Sequence, residues 1–185
     1  MPLSGRFAPL GLLLLLPAGC AAPECPPGFV QGAEECEFDQ DAVLQLVRTM
    51  DAGALVKLNA EPYIPPYSSN PIERNVWVSP VPVPDWGIAA TDLYLTIDQD
   101  DWSTPLEVEF PVGTVIIHEA VNREEPHGVE VKRDDYVDET GRPWWLRMVY
   151  DDGTIDETPR EACADCHTES YRPTEGLWGV PTFAK

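Results

Sequence analysis

The sequence predicts an α+β fold: a mainly antiparallel β-sheet with an N-terminal helix and a C-terminal helix that carries a Cys-x-x-Cys-His motif. Three observations predict it. Apolar residues from Val43 to Leu58 recur at three- and four-residue steps, the spacing of one helix face. Between Asn75 and Tyr150, short apolar, β-branched and aromatic runs are bounded by turn residues, and short connections favour antiparallel pairing. Near the end, Thr158-Pro159-Arg160-Glu161 has the form of a helix start: Thr158 as N-cap, Pro159 at the first helical position, and Glu161 closing a capping box.

The chain begins with a targeting segment, residues 1–19. Arg6 gives a positive start, Leu12 to Leu16 an apolar centre, and Ala18-Gly19 the small residues of a cleavage site. The apolar run is short for a membrane span. Cys20 follows directly, so the segment resembles a bacterial lipoprotein signal with Cys20 as the lipidated first residue. It departs from that pattern at Pro17, where a Leu is usual. The expected location is the periplasmic face of the outer membrane, Ala21 rather than Asp standing second; the alternative is a soluble periplasmic protein. Residues 20–38 read as a lipidated tether rich in Pro, Gly and Glu, and 39–185 as one domain.

Within that domain the first helix starts at Asp39 or Asp41 and ends at Asn59 and Pro62, and residues 61–71 are a loop. Strands are expected at 75–78, 92–98, 107–110, 114–121, 129–133 and 144–150, with turns at Gly141-Arg142-Pro143 and Asp151-Asp152-Gly153. The formal charge of −20 argues against a nucleic-acid partner and against adsorption to anionic lipid, and an acidic surface could steer a redox partner protein.

Cys163-Ala164-Asp165-Cys166-His167 is the pattern by which a chain attaches a c-type haem covalently. On a helix, Cys163 and Cys166 lie at i and i+3 and His167 at i+4, so two thioethers and one imidazole converge on one side of a porphyrin. Cys163 and Cys166 then hold the ring, and His167 is the proximal iron ligand. A thioredoxin-like pair would want a surrounding βαβ pattern, and a zinc site two more ligands. The five cysteines divide into one for lipid, two for haem, and Cys25 and Cys36, which most simply pair in an oxidising compartment.

The residues beyond His167 able to take the sixth iron position are His118, His127, Met50 and Met148. His118 shares a strand face with Thr114, Ile116 and Ala120 while Glu119 points the other way. It is a sixth ligand, a distal hydrogen-bond donor, or a core histidine satisfied by a neighbour. Met148 shares a face with Trp144, Leu146 and Tyr150 and reads as packing against the ring; Met50 reads as core, and His127, between Pro126 and Gly128, as a solvent-facing turn residue. Glu130 alternates with Val129 and Val131, and is either a solvent-face residue or a buried carboxylate fit for general acid/base work. Arg147 and Lys132 read as surface charges.

The run from Phe110-Pro111-Val112-Gly113-Thr114 to Ile117-His118-Glu119, then Gly128 to Lys132, Trp144-Trp145 to Tyr150, and Cys163 to His167, resembles the cytochrome P-460 family, which includes the c′-beta cytochromes. The resemblance covers residues 105–170, with a weaker echo from Leu93 to Trp102. It implies a largely antiparallel β fold around one c-type haem, with members that oxidise hydroxylamine and relatives that bind nitric oxide in a hydrophobic distal pocket. In the hydroxylamine oxidisers a lysine directly before the strand's Glu is cross-linked to the porphyrin. Here that position is His118, which cannot make the same bond. The family's distal glutamate matches Glu130; its distal Phe and Arg, expected near Leu93 to Ile97, have no assigned counterpart. Two functions are implied: a monohaem cytochrome for electron transfer or nitric oxide binding, or an oxidoreductase acting on hydroxylamine or a related small nitrogen compound, with Glu130 and His118 in the distal pocket. Loss of the lysine favours the first.

Overall fold

Six of the chain's strands run as a meander, each hydrogen-bonded to the one before it. The computed structural model describes residues 24–50, 52–64, 72–96, 109–138, 141 and 143–156. A hairpin of β1 (Phe29–Gln31) and β2 (Cys36–Phe38) precedes helix α1 (Gln40–Thr49). Then come β3 (Val56–Lys57), β4 (Arg74–Val78), helix α2 (Ala90–Thr96), β5 (Val115–Ala120), β6 (His127–Lys132), β7 (Trp144–Val149) and β8 (Ile155–Asp156). β3 to β8 form one antiparallel sheet in chain order.

This corrects the expected α+β class. The described residues are mainly antiparallel β, eight strands in two sheets, with two short helices, neither of them C-terminal. The segment Thr158 to His167, expected as the motif-bearing helix, lies outside the described residues, as do residues 1–19 and Cys20.

Three further expectations are corrected. Helix α1 is capped by Asp39, whose carboxylate accepts from the Asp41 and Ala42 amides at 2.8 and 3.2 Å, but it ends at Thr49. Met50 turns left-handed at φ 42° and its N–H bonds Leu46 O at 2.8 Å, so the apolar steps at Ala54, Leu55 and Leu58 lie beyond the helix. Leu55 is still buried, but from a loop entering β3. Residues 92–98, read as a strand from a short apolar and aromatic run, contain most of helix α2; Ala90, Leu93 and Tyr94 at i, i+3 and i+4 make its buried stripe. Glu109 and Phe110 lie outside any strand.

The segment expected as a tether is also folded from residue 24 onward. Cys25 and Cys36 are joined by a disulfide with Cα atoms 5.6 Å apart, and Phe29 is buried with Val43, Val47 and Val115. Gly113 sits at φ 87°, and a Cβ there would collide with the Pro26 ring, so the start of the domain is seated on the turn before β5.

The large sheet is covered on both faces. On one, Val115 and Ile117 of β5, Val129 and Val131 of β6, and Trp145 and Val149 of β7 pack against α1 and the hairpin. On the other, Val76 and Val78 of β4, Ile116 and Trp144 pack against Tyr63, Phe110 and the buried stripe of α2. A strand covered on both sides leaves no polar-out signal in its sequence.

Candidate functional site

The register of the sheet arranges the second face in rows. Val76 of β4, His118 of β5, Gly128 of β6 and Met148 of β7 are successive cross-strand partners. The next row is Val78, Ile116, Glu130 and Leu146, and a third pairs Lys132 with Trp144. Cross-strand partners stand about 5 Å apart, so three strands offer a platform about 10 Å broad.

His118 Nε2 lies 3.5 Å from Glu130 Oε1, with side-chain exposures of 14% and 5%. The contact is diagonal, from one row to the next. Glu130 is buried although Val129 and Val131 both lie in the core of the opposite face, so the choice between solvent and core drawn from alternation does not apply. Gly128 puts no side chain in the row, and a Cβ there would make ordinary contacts, 3.5 Å from His118 Cβ and 3.9 Å from Met148 Sδ. His118, Leu146 and Met148 are half-buried beside it.

Two buried phenols flank the carboxylate. Burial pushes the Tyr94 hydroxyl well above its ordinary range, and the neighbouring Tyr63 and Glu130 push it further the same way. Burial likewise raises Tyr63, against the pull of the Arg74 cation, with Glu130 again adding to the rise. The Arg74 guanidinium is lowered chiefly by burial, and it donates to the backbone oxygens of His118 and Pro126 at 3.0 and 2.9 Å. That bond anchors the strand end on which His118 stands.

His127 is corrected from a solvent-facing turn residue to a fully buried one on β6. Its Nδ1 accepts from the Ala120 N–H at 3.0 Å, which leaves the proton on Nε2, 2.7 Å from Asp151 Oδ1. Arg123 joins Asp151 at 2.6 Å and Glu119 at 2.9 Å, and Glu119 accepts from Asn75 and Trp77 at 3.0 and 2.8 Å. Burial opposes ionisation of Asp151, but hydrogen bonds from His127 and Arg123 outweigh it and hold the carboxyl below the usual range. Both imidazole nitrogens are committed.

Lys132 is also corrected from surface to buried: it is 2% exposed, its Nζ lies 2.7 Å from Glu109 Oε1, and it lies 5.6 Å from the centre of the Trp144 ring. Trp144 is buried, and its indole Nε1 has no hydrogen-bond partner among the described residues. Arg147 lies over Trp145 at 5.4 Å, on the other face. Met50, at the end of α1, packs against the first core.

Of the four residues able to take the sixth iron position, the fold therefore brings His118 and Met148 into one row beside Glu130, and sends His127 and Met50 to the opposite side. Cys163, Cys166 and His167 lie outside the described residues. Sequence reasoning missed Tyr63, Tyr94 and Arg74. A signal for Tyr94 existed in the i, i+3, i+4 spacing of α2; Tyr63 and Arg74 meet through an isolated antiparallel bridge that leaves no periodic trace. Among the described residues no group of His, Cys, Asp and Glu side chains is placed to hold a metal ion, and no helix is long and apolar enough to cross a membrane. No family model, no curated protein and no solved structure matches the chain.

Proposed function

We propose that the chain is an exported, lipid-anchored monohaem c-type cytochrome of the cytochrome P-460 family, attached through Cys20 to the periplasmic face of the outer membrane and serving electron transfer or nitric oxide binding. The observation that carries the reading is Cys163-Ala164-Asp165-Cys166-His167: two thiols to hold a haem covalently and an adjoining imidazole for its iron.

Three features of the second sheet face support this reading. Gly128 puts no side chain between His118 and Met148, Leu146 adds apolar surface, and Trp144 Nε1, a buried donor with no partner among the described residues, suits a carboxylate of the porphyrin edge. A bound haem supplies redox chemistry and a site for small diatomic or nitrogen-oxide ligands. The chain's own residues do the rest. His118 offers an imidazole, Glu130 holds that imidazole by an ion pair or hydrogen bond, and Tyr63 and Tyr94 keep water from the carboxylate.

A second reading, an oxidoreductase acting on hydroxylamine or a related nitrogen compound, draws support from the His118–Glu130 contact, because a buried carboxylate beside an imidazole can hold and return a proton.

The test is the absorption and EPR spectrum of protein matured with a c-type haem assembly system, before and after reduction and addition of nitric oxide or hydroxylamine. One covalent haem per chain is expected, and His118→Ala should retain it while shifting the Soret band or nitric oxide affinity. Protein exported intact without covalent haem overturns the reading. Turnover of hydroxylamine selects the oxidoreductase.

A further inference from the structure

A groove of about 650 Å³ opens beside the disulfide, walled by Pro26, Pro27, Pro80, Val81, Pro82 and Val112. Among the described residues Glu24 is the one ionisable side chain along it, Cys25 being oxidised, in a chain of net charge −20. Val112 on its wall is 41% exposed, and the loop that forms another wall carries Trp86 at its tip, 59% exposed. A turn held by the Pro82–Ala89 bridge, with Asp85 and Gly87 at positive φ, presents that indole to solvent.

The chain enters this surface with no slack. Pro26 is wedged against Gly113, the Phe29 N–H bonds Pro26 O at 3.0 Å, and the disulfide fixes Cys25 to β2. If Cys20 carries lipid, three residues separate the anchor from Glu24, and the four steps between them reach at most ~14 Å even when fully extended. An acidic domain held so close must turn some face to the headgroups. The groove surface is where the chain arrives, and its walls are mainly prolines and valines, with Glu24 along it and Asp85 beside Trp86 on the turn.

We infer that this Pro- and Val-lined surface, with Trp86, rests on the phospholipid headgroup layer next to the anchor and fixes the orientation of the domain over the membrane. The inference depends on the lipid anchor at Cys20. Desolvating prolines, valines and an indole at a bilayer surface is favourable, whereas seating any strongly acidic face there is not.

The test places a spin label at Val112→Cys, and separately at Pro82→Cys, in the full lipidated protein on phosphatidylcholine vesicles, with Val137→Cys as reference; Val137 is 65% exposed on the loop after β6. Accessibility to a water-soluble nickel chelate should fall severalfold at 112 and 82 on vesicle binding and stay unchanged at 137. Hydroxyl-radical oxidation of Trp86 in the unsubstituted protein should fall in parallel, which keeps the test open if a variant does not fold. Protein that floats with the vesicles while these positions remain accessible overturns the orientation alone. Protein that does not float overturns the anchor, and the orientation with it. Shielding that grows with protein concentration in the absence of lipid assigns the surface to a second copy and overturns the inference.

Discussion

Two histidines on adjacent strands of one sheet, His118 on β5 and His127 on β6, face opposite ways and are used differently. His127 is fully buried with one nitrogen on a backbone amide and the other on Asp151, inside a chain of partners that continues through Arg123 and Glu119 to Asn75 and Trp77. His118 is partly exposed and meets Glu130 at 3.5 Å, at the limit of a hydrogen bond, next to a row position that Gly128 leaves empty. A buried imidazole with both nitrogens paired fixes a fold, and an imidazole with a neighbour and no side chain at the next row position can respond to a ligand. His127 is therefore architecture, and His118 is the group to test for function.

The largest effect should come from His127→Ala. It leaves the Ala120 N–H without this acceptor and Asp151 without its donor, and removes a filled ring from a closed site. A loss of about 3 kcal/mol is expected by denaturant unfolding. His118→Ala, measured the same way, should lose about 1 kcal/mol, because its ring already meets solvent. Equal losses would erase the distinction between the two faces.

How far the sequence could be read obeys the same division. The strands at β4, β5, β6 and β7 are legible because β-branched and aromatic residues run between clear turns, and the face shared by His118 and Ile116 comes from alternation alone. The tether, the long first helix and the strand over residues 92–98 are not, each for a physical reason. A disulfide and a hairpin give residues 24–38 a core that their Pro- and Glu-rich composition conceals. A left-handed Met50 ends α1 where no proline or glycine announces it. Leu93 and Leu95 alternate by accident within a seven-residue helix whose true stripe is Ala90, Leu93 and Tyr94. The surroundings of His127, Glu130 and Lys132 are equally illegible, because β6 is covered on both faces and a polar residue between valines then says nothing of solvent.

The next effect concerns the face that carries Glu130. Tyr63 and Tyr94 have hydroxyls raised by burial, so they hold their protons in the folded chain after the unfolded chain has begun to lose them. Stability that is full below the ordinary value of 10.0 therefore falls as pH rises above it and through the raised folded value. Tyr94→Phe removes one such group and should make the alkaline limb less steep by about 1.4 kcal/mol per pH unit. An unchanged slope would mean that Tyr94 ionises freely in the folded protein, and that the surroundings of Glu130 are wetter than its burial implies.

The smallest effect belongs to the other face, at Asp151. Its carboxyl is held low against burial by His127 and Arg123, so its contribution is full above the ordinary value of 3.8 and is lost as pH falls through the depressed folded value. The side chain is 35% exposed, and solvent screening keeps the contribution under about 1 kcal/mol. Asp151→Asn should therefore cost that much at neutral pH and nothing at the acid end, where wild type and variant converge. His127 can still donate to the amide oxygen, so the variant separates the charge of Asp151 from its hydrogen bond. A gap between the two proteins that persists into strong acid would show that shape rather than ionisation makes Asp151 necessary, and that the His127 network is held by packing.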